Sequence, residues 1–394
     1  MKILQVINAF NPEMGGPVTI CYNLSKELVK AGNDVTIITS DYRFNKSYAQ
    51  SLFGIEIIPF KVVANIGLFL ISPDMNTWLK SHIRDYDIIH LHELQSYQNN
   101  IVFSHAKKAN VPYILHAHGL APKIMEKSFL KRLYNFVWGD DILKNASKVI
   151  ALTEMESIEY QQMGVPEKKI AIVPNGLDLS VVKYLPDKGL FRKKIGYKAN
   201  EKIILYLGRL NETKGIHLLI DAFGQIIPQM ADARLVIVGS DDGYLQQLIR
   251  KINQMGISDR VLIVGPVSET EKFTAYMDAD ICVLPSMYEP FGITVLEAWA
   301  CGVPVVVTKG CGIADVVKSA GLVVDYNKEH MASAILQLLK NEDSRKKFGD
   351  TGKKFVSEVY DYDNIWKKIE DVYLECCKVV PDYGGKLENP VTNE

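Results

Sequence analysis

Short apolar runs alternate with amphipathic segments from the first residues of the chain. The runs over Ile3–Ile7, Val35–Thr39 and Ile88–His92 predict buried strands, and a helix is predicted from Val18 to Ala31. Near-continuous apolar strands separated by helices are typical of a parallel sheet that is covered on both faces and wound in right-handed crossovers. Later runs predict three more strands of the same sheet: Tyr113–His116, Lys148–Leu152 and Ile170–Val173.

A second alternation of the same kind starts at Ile203. A polar, weakly patterned stretch over residues 180–200 precedes it and predicts a linker. The chain has 394 residues, more than the roughly 250–300 at which one hydrophobic core stops growing. The strands predicted after the linker are Ile203–Gly208, Leu235–Gly239, Val261–Val264, Ile281–Leu284, Val303–Val307 and Gly321–Val324.

The fold class expected is therefore α/β, with two facing, Rossmann-like, doubly wound parallel-sheet domains and a ligand cleft between them. We expect the first domain over residues 1–180 and the second over 200–360. Residues 362–379 carry one apolar stripe at helical spacing, which predicts a closing helix that completes the first domain. The glycines and prolines of residues 381–394 predict a flexible tail.

Composition narrows the classes of partner. The chain carries 45 basic and 46 acidic residues, a balance that does not favour nucleic acid. Its six cysteines show no paired CxxC spacing, so neither a disulfide framework nor a zinc site is predicted, and a reducing cytoplasm fits best. We expect no signal peptide and no membrane span, because no apolar run reaches ~20 residues. A small-molecule partner is favoured.

One stretch, residues 285–297, combines a turn containing Pro and Gly with two carboxylates, Glu289 and Glu297. It follows the predicted strand Ile281–Leu284 and leads into a helix predicted over Val295–Ala300. A strand-turn-helix connection of this kind points backbone N–H groups at an anion such as a phosphate. A plain strand-to-helix corner, in which Glu297 complements the helix dipole, is the alternative.

Two loops after predicted strands are further candidates for a phosphate site. Gly15 and Gly16 enter the first helix, and they let the backbone approach a ligand, although a simple tight turn fits as well. Their spacing is not GxGxxG, which disfavours a nicotinamide dinucleotide. In the second half, Arg209 follows a strand and Lys214 precedes a helix, so both cations could reach a diphosphate over the cleft. Two solvated basic residues are the alternative.

Four histidines fall two apart near the ends of two predicted strands: His90 with His92, and His116 with His118. Together they could hold a metal, but the carboxylate or cysteine partners expected of such a site are not evident, so no metal is predicted. A single positional or acid–base histidine is favoured. His118, followed by Gly119 in the loop, is the best placed of the four.

Residues 123–138 interleave basic and apolar side chains at amphipathic spacing. This segment could lie in a membrane interface and bring the protein to a lipid-linked acceptor at the inner face of the membrane. The favoured alternative is a helix whose apolar face packs on the sheet.

Together these motifs resemble the retaining glycosyltransferases of family four, whose two facing Rossmann-like domains form the GT-B architecture. The resemblance covers almost the whole chain, and the 285–297 stretch contributes two glutamates separated by seven residues. The other motifs are Gly15-Gly16, His118-Gly119, Pro174-Asn175-Gly176-Leu177-Asp178, Gly208-Arg209 and Lys214-Gly215.

The resemblance implies a nucleotide-sugar donor, bound mainly by the second domain, and no cofactor. Arg209 and Lys214 would neutralise the leaving diphosphate, and Glu289 would support the reaction while contacting the donor sugar. Glu297 would hold the ribose hydroxyls, and His118 would lie near the reacting sugar. The donor-binding residues implied are Gly15, Gly16, Arg209, Lys214, Glu289, Phe291, Gly292, Ile293, Thr294, Val295 and Glu297, with the amides of 293–295 near the phosphates.

By the same resemblance the reaction retains anomeric configuration and needs neither a carboxylate nucleophile nor a DxD metal motif. The adjacent Asp241 and Asp242 fall in a loop after a predicted strand, where a helix cap is the expected role.

Three functions share this architecture. The favoured one transfers a hexose or N-acetylhexosamine from a nucleotide sugar, UDP rather than GDP, to a saccharide or lipid-linked saccharide in cell-surface glycan synthesis. A non-catalytic nucleotide-sugar-binding scaffold is the second, and a retaining phosphorylase or sugar-nucleotide epimerase is the third. The sugar itself stays open, because hexose donors differ by one or two hydroxyl contacts.

Overall fold

Two fully parallel sheets and one short hairpin contain the strands of the computed structural model, which describes residues 1–67, 69–119, 134, 138–183 and 185–378. In chain order the strands are β1 (Lys2–Ala9), β2 (Asp34–Ser40), β3 (Glu56–Phe60), β4 (Ala64–Ile66), β5 (Phe69–Ile71), β6 (Ile88–His92), β7 (Tyr113–His116), β8 (Lys148–Ala151), β9 (Ile170–Ile172), β10 (Lys202–Leu207), β11 (Ala233–Val238), β12 (Val261–Val264), β13 (Ile281–Leu284), β14 (Val305–Thr308) and β15 (Gly321–Val324).

Helices connect the strands and cover both sheets. In chain order those described are α1 (Gly16–Lys30), α2 (Lys46–Gln50), α3 (Pro73–His82), α4 (Tyr97–Ala109), α5 (Asp140–Asn145), α6 (Glu154–Gln162), α7 (Leu190–Ile195), α8 (Ile216–Ile226), α9 (Leu245–Gln254), α10 (Glu269–Asp278), α11 (Ile293–Ala300), α12 (Ala314–Val317), α13 (Lys328–Lys340), α14 (Glu342–Val359) and α15 (Tyr362–Lys378).

The strand orders give each sheet one switch point. The first sheet runs β3-β2-β1-β6-β7-β8-β9 and the second β12-β11-β10-β13-β14-β15, so strand order reverses between β1 and β6 and between β10 and β13. Both follow the doubly wound pattern in which the first strand is central and later strands add on its other side. The expected α/β fold with two parallel sheets is confirmed.

Alternate residues of the central strand β1 enter opposite faces of the first sheet, as the period of two requires. Leu4 packs into a cluster that contains Leu79 and Val102 of the helices on one face. Ile3 packs on the other face with Leu24 of α1 and residues of α15. The buried strands are apolar throughout because both faces are covered.

The closing helix α15 returns to the first sheet after the chain has built the second. Its apolar stripe, including Ile369 and Tyr373, lies in the same cluster as Ile3. The two chain crossings between the units run side by side, because Leu177 N–H donates to Tyr360 O at 2.8 Å and Tyr362 N–H donates to Leu177 O at 3.1 Å. This pairing gives the Pro174–Asp178 motif a structural role.

The prediction of a linker over residues 180–200 is wrong in part, because helix α7 lies within this stretch. Arg192 of this helix donates from its backbone N–H to Oδ2 of Asp278 at 2.8 Å, and its Nη2 lies 3.0 Å from Oδ2 of Asp280. Phe191 is buried in the core of the second unit. The polar composition of residues 180–200 did not indicate that α7 packs on the second unit, because Arg192 pairs with carboxylates rather than with apolar side chains.

Two further elements were not predicted. Strand β3 contains Pro59, which lacks an N–H for a ladder, and β3 accordingly lies at the edge of its sheet. The antiparallel hairpin β4-β5 is the second of these elements. Residues 123–133, 135–137 and 381–394 lie outside the described residues, so the amphipathic segment and the tail stay predictions. No helix in the described part of the chain is long and apolar enough to cross a membrane.

Candidate active site

The two candidate loops of the second sheet lie at its switch point. Residues 285–297 follow β13, and the loop that begins at Arg209 follows β10. Ligands of open α/β sheets bind outside the carboxyl ends of the strands at such a point. The loops are joined directly, because the Met287 N–H donates to the Thr213 carbonyl at 2.9 Å.

Glu289 and Lys214 form an ion pair between these loops. Nζ of Lys214 lies 2.6 Å from Oε2 of Glu289, and each side chain keeps 17% of its surface exposed. The backbone of Glu289 is fixed on its other side: its N–H donates to Gly310 O at 2.9 Å, and its carbonyl accepts from Gly312 N–H at 2.7 Å. The carboxylate is therefore held at the sheet edge with a cation beside it.

Arg209 has a weaker partner. Its Nη1 lies 3.0 Å from Oδ2 of Asp242, and both side chains are exposed. An exposed pair contributes at most ~1 kcal/mol, so a diphosphate can replace the carboxylate at little cost. Oδ1 of the neighbouring Asp241 accepts from the N–H groups of Tyr244 and Leu245 at 3.0 Å. The N-cap residue of α9 is Tyr244, so Asp241 binds amides at the start of this helix without being its cap residue.

Glu297 lies in α11 and keeps only 6% of its surface exposed. Its Oε1 lies 2.8 Å from Nζ of Lys272, and its Oε2 accepts from the Tyr276 hydroxyl at 2.8 Å. Burial alone would lower the pKa of Lys272, but the carboxylates of Glu297 and Glu269 raise this pKa above its ordinary value. A ribose contact would have to use the remaining lone pairs of Glu297.

Helix α11 begins without a side-chain cap behind Gly292, which takes a φ of +98°. The first amides of a helix point outward along its axis, so those of Ile293 and Thr294 are directed toward an anion at this end. The Val295 N–H, one of the three amides expected near the phosphates, already donates to the Gly292 carbonyl at 2.9 Å. Phe291 is buried, so only its backbone can face a ligand.

The Gly15-Gly16 loop follows β1 at the switch point of the first sheet. Gly15 has a φ of +106°, and α1 begins at Gly16. A Cβ at Gly16 would meet no atom within 4 Å, so packing within the chain does not require glycine there. The open space over this backbone suits the close approach of a ligand.

Gly119, which follows His118, touches the second unit. His118 follows β7 with a φ of +54°. A Cβ at Gly119 would lie 2.3 Å from the Pro290 ring, and Gly119 itself has a φ of +78°, so glycine alone fits. His118 and Glu289 therefore each lie one residue away from the same contact between the two units.

Glu156 holds this loop from inside the first unit. Its carboxylate accepts hydrogen bonds from Gly119 N–H at 3.1 Å, from Leu152 N–H at 2.7 Å and from the Tyr160 hydroxyl at 2.8 Å. Burial raises the pKa of Glu156 to about 7, although these hydrogen bonds lower it. No sequence motif marked Glu156.

Two side-chain hydrogen bonds also cross between the units. The Thr153 hydroxyl donates to Pro290 O at 3.2 Å, and the Tyr288 hydroxyl donates to Oε2 of Glu159 at 2.9 Å. Thr153 and Glu159 belong to the start and the body of α6, which also carries Glu156. The cleft is therefore closed along one side by α6 and the 285–297 stretch.

The four histidines come together, and the rings of His90, His92 and His116 are stacked. Ring centroids lie 4.2 Å apart for His90 and His92 and 5.6 Å apart for His90 and His116, with angles of 12° and 20° between the planes. Nitrogen lone pairs lie in the ring planes, so stacked rings do not direct them at one ion. Both nitrogens of His92 are also engaged, by Gln5 and His118. This donor set does not fit a metal.

The histidine cluster is electrically neutral near pH 7. Burial, followed by the neighbouring imidazoles, holds the pKa of His118 well below its usual range. Burial lowers the pKa of His116 to about 3. A neutral imidazole offers one donor and one acceptor, so its hydrogen bonds determine which nitrogen carries the proton.

Glu93 is an acidic residue at the first sheet's switch point that the sequence did not mark. It follows β6 directly and has a φ of +63°. Its carbonyl accepts from Nδ2 of Asn99 at 3.1 Å. Burial raises the pKa of the Glu93 carboxyl to about 7. A perturbed carboxyl at this edge is a candidate functional group.

Two family models match the chain in succession. The model described as Glycosyltransferase Family 4 matches residues 14–181, and that of Glycosyl transferases group 1 matches residues 187–355. Between them these models contain every candidate site residue. This chain belongs to glycosyltransferase family 4.

Two curated relatives of this glycosyltransferase match along nearly their full length. An uncharacterized glycosyltransferase of Methanocaldococcus jannaschii is 28% identical, over 95% of this chain and 98% of its own. The N-acetyl-alpha-D-glucosaminyl L-malate synthase of Bacillus anthracis is 25% identical, over 95% of this chain and 97% of its own.

Solved structures confirm the GT-B fold of the glycosyltransferase. Anabaena HepE in complex with UDP and glucose superposes with a TM-score of 0.78 at 20% identity, covering 95% of this chain and all of that one. The sucrose-phosphate synthase of Thermosynechococcus elongatus gives 0.77 at 22% identity, covering 95% and 98%.

Proposed function

We propose that this glycosyltransferase is a retaining, metal-independent enzyme. It moves a hexose or N-acetylhexosamine from a nucleotide sugar, with a UDP-sugar favoured, to a saccharide or lipid-linked saccharide. The donor binds mainly to the second domain, with proposed bounds 200–360, and the acceptor to the first, with proposed bounds 1–180 and the closing helix.

The observation that carries this proposal is the contact between Gly119 and Pro290. His118 and Glu289 are the neighbours in sequence of these two residues, and Lys214 lies 2.6 Å from the Glu289 carboxylate. We infer that a neutral imidazole, a carboxylate and a cation from loops distant in the sequence face one cleft. A sugar with a diphosphate leaving group matches these three chemistries.

Charge development explains the role of each group. As the glycosidic bond to the diphosphate breaks, negative charge grows on the phosphate oxygens, and Lys214, Arg209 and the first amides of α11 stabilise it. The same oxygens take the proton of the acceptor hydroxyl. Glu289 supports the developing positive charge on the sugar rather than attacking it, because its ion pair with Lys214 reduces its nucleophilicity.

Cations, not a metal, neutralise the diphosphate in this proposal. The acidic pair that could suggest a metal motif is engaged: Asp241 accepts from backbone N–H groups at the start of α9, and Asp242 pairs with Arg209. The loops at the switch point instead present Arg209 and Lys214. The charge of the leaving group can therefore be balanced by side chains alone.

The comparisons favour a UDP-sugar as the donor and add a further class of acceptor to be tested. HepE was solved with UDP and glucose, which favours a UDP-sugar here. The Bacillus anthracis relative is named for N-acetyl-alpha-D-glucosaminyl L-malate, so a small hydroxy acid belongs in an acceptor screen. The cysteines of the described residues are free thiols, which supports a cytoplasmic location.

The test begins with a thermal-shift screen of UDP- and GDP-sugars, because the correct donor stabilises the folded state. Release of nucleoside diphosphate is then measured with saccharide, lipid-linked saccharide and hydroxy-acid acceptors. We expect one donor to raise the Tm and to turn over, and NMR of the product to show the anomeric configuration of the donor.

Other outcomes would contradict the proposal in different ways. Donor binding without release of nucleoside diphosphate for any acceptor would indicate a scaffold. Phosphate-dependent release of a sugar 1-phosphate would indicate a phosphorylase, and epimerised donor without acceptor an epimerase. An inverted product, or turnover abolished by EDTA and restored by a divalent cation, would overturn the retaining and metal-independent parts.

A further inference from the structure

Glu93 occupies a strained position at the end of β6, beside the switch point of the first sheet. Its φ of +63° lies in the left-handed region that residues other than glycine rarely adopt. Nδ2 of the buried Asn99 donates to the carbonyls of both His92 and Glu93 at 3.1 Å, which holds the turn in this conformation. Strained residues persist where the surrounding structure fixes them, and they are concentrated at ligand sites.

The Glu93 turn lies beside the loop that carries His118. The Glu93 N–H donates to the carbonyl of His116, the last residue of β7, at 2.9 Å. The next residue, Leu94, packs into the core of the first unit, whereas Glu93 keeps part of its surface exposed. Ligands of open α/β sheets bind at this edge, so Glu93 belongs to the part of the cleft that the first unit contributes.

The carboxylate of Glu93 differs from the other carboxylates of the site. Glu156 accepts three hydrogen bonds, and Glu289 is paired with Lys214. Within the described ranges no side chain or N–H group contacts the Glu93 carboxylate, and burial is the cause that raises its pKa to about 7. A desolvated carboxylate without partners is costly, and a ligand that donates hydrogen bonds would remove this cost.

Aromatic side chains surround the loop that continues from Glu93. The Phe69 ring makes edge contacts with the rings of Tyr97 and Tyr134, and the centroids lie 6.1 Å apart in both pairs. The Tyr134 hydroxyl lies 3.1 Å from the Leu94 carbonyl. Tyrosine combines an apolar ring with a polar tip, which suits a ligand that has both C–H surfaces and hydroxyls. A saccharide has this composition.

The two sides of the cleft differ in charge. The cations assigned to the donor, Arg209 and Lys214, belong to the second unit. Glu93 places an unpaired acidic group on the first unit. A carboxylate or phosphate next to it would be repelled, because charges at a partly buried site are screened only weakly. Hydroxyls, in contrast, donate charge-assisted hydrogen bonds to a carboxylate.

We propose that the Glu93 carboxylate accepts hydrogen bonds from hydroxyls of a neutral saccharide acceptor and excludes acceptors that carry a carboxylate or phosphate at the same position. This assignment rests on the proposed transfer reaction and selects among its acceptor classes. It favours the saccharides of the screen over the hydroxy acid. Glu93 takes no proton in the reaction, because the acceptor proton goes to the phosphate oxygens.

The experiment compares matched acceptors with the donor that the thermal-shift screen selects. The pairs are glucose with glucuronate and galactose with galacturonate, whose members differ in a carboxylate at C6. At pH 8 the Glu93 carboxyl is ionised, because its pKa is about 7. We expect the unaltered enzyme to prefer the neutral member by about tenfold or more in kcat/KM. Glu93→Gln should lower kcat/KM for the neutral member about 10–100-fold and reduce the preference to less than about threefold.

Two further variants separate charge from folding. Glu93→Asp keeps the charge but shortens the side chain, so it should keep the preference while kcat/KM for the neutral member falls. Glu56→Gln alters an exposed carboxyl at the start of the edge strand β3, and it should change neither quantity. The donor Kd and the acceptor-independent hydrolysis of the donor should be unchanged in Glu93→Gln, which a misfolded variant would not show.

Four results would overturn the assignment. The first is an unaltered enzyme that uses the uronate as well as the hexose, and the second is a Glu93→Gln variant that keeps the full preference. The third is a rise in the donor Kd of Glu93→Gln without a change for the acceptor, which would place Glu93 at the donor sugar. The fourth is a donor that binds and hydrolyses but is transferred to no member of the pairs. Failure of every sugar nucleotide to bind would contradict the proposed function itself, and the thermal-shift screen would reveal this before any acceptor is added.

Discussion

The Lys214 ammonium lies 2.6 Å from the Glu289 carboxylate, and each side chain therefore determines how much charge the other can offer a ligand. In Glu289→Ala the ammonium keeps its full charge for the diphosphate. We expect kcat to fall by about 100-fold or more, because stabilisation of the developing charge on the sugar is lost, while the donor Kd changes by less than about threefold. Nucleoside diphosphate release and calorimetry measure the two quantities. Turnover within threefold of the unaltered enzyme would remove Glu289 from the catalytic set.

Lys214→Ala should weaken donor binding, which Glu289→Ala should leave almost unchanged. It removes a charge-assisted contact to the diphosphate, which is worth about 1.5–3 kcal/mol, so the donor Kd should rise by about 10–100-fold. A matched control is Lys251→Ala, which breaks the 2.7 Å Lys251–Asp221 ion pair on the surface of α8 and α9. Equal donor affinities for the two variants would place the diphosphate away from Lys214.

Gly16→Ala should separate folding from binding. Nothing within 4 Å would meet the new Cβ, so alanine should leave the free energy of unfolding unchanged or raise it by about 0.4–1 kcal/mol. A ligand at this backbone would meet the methyl group, and we expect kcat/KM for the donor to fall at least tenfold. Gly265→Ala, equally open but beside the edge strand β12, is the control. Full activity of Gly16→Ala would contradict a close approach at this loop.

Glu93→Gln should change how stability depends on pH. The folded pKa of Glu93 is about 7, above the ordinary value near 4.5, so the folded state binds more protons between these pH values. The contribution is most favourable below pH 4.5 and is lost as pH rises through 7. Glutamine does not titrate, so the variant should gain on the order of 2–4 °C in Tm relative to the unaltered chain between pH 5 and pH 8. Parallel Tm curves would show that the carboxyl is not desolvated.

Local patterns were sufficient for the strands and for the loops at the strand ends. Val261–Val264 and Ile281–Leu284 have the predicted bounds because a buried parallel strand is an uninterrupted apolar run. Topology then brings the ends of β10 and β13 together, which is why the Arg209 loop and the 285–297 stretch could be assigned to one site. Strand β3 was not predicted in this way, because Pro59 interrupts its apolar run.

The partners of the site residues could not be predicted in the same way. Lys272 and Tyr276 meet Glu297, and Glu156 holds Gly119, through contacts between segments that no spacing relates. In the sequence these side chains cannot be distinguished from other helix residues, because only the fold brings them to their partners. Sequence reasoning marked the loops at the strand ends and missed the side chains that hold them.

The return of α15 to the first sheet has a consequence for synthesis. Val173, Ile3 and Tyr373 share one core cluster, so the first unit contains residues made at the beginning and at the end of translation. Its core cannot be complete while the ribosome is still building the second sheet, although domains usually fold in the order of their synthesis. The nascent amino-terminal half must therefore remain incomplete, with an uncovered apolar face, until the last helix emerges.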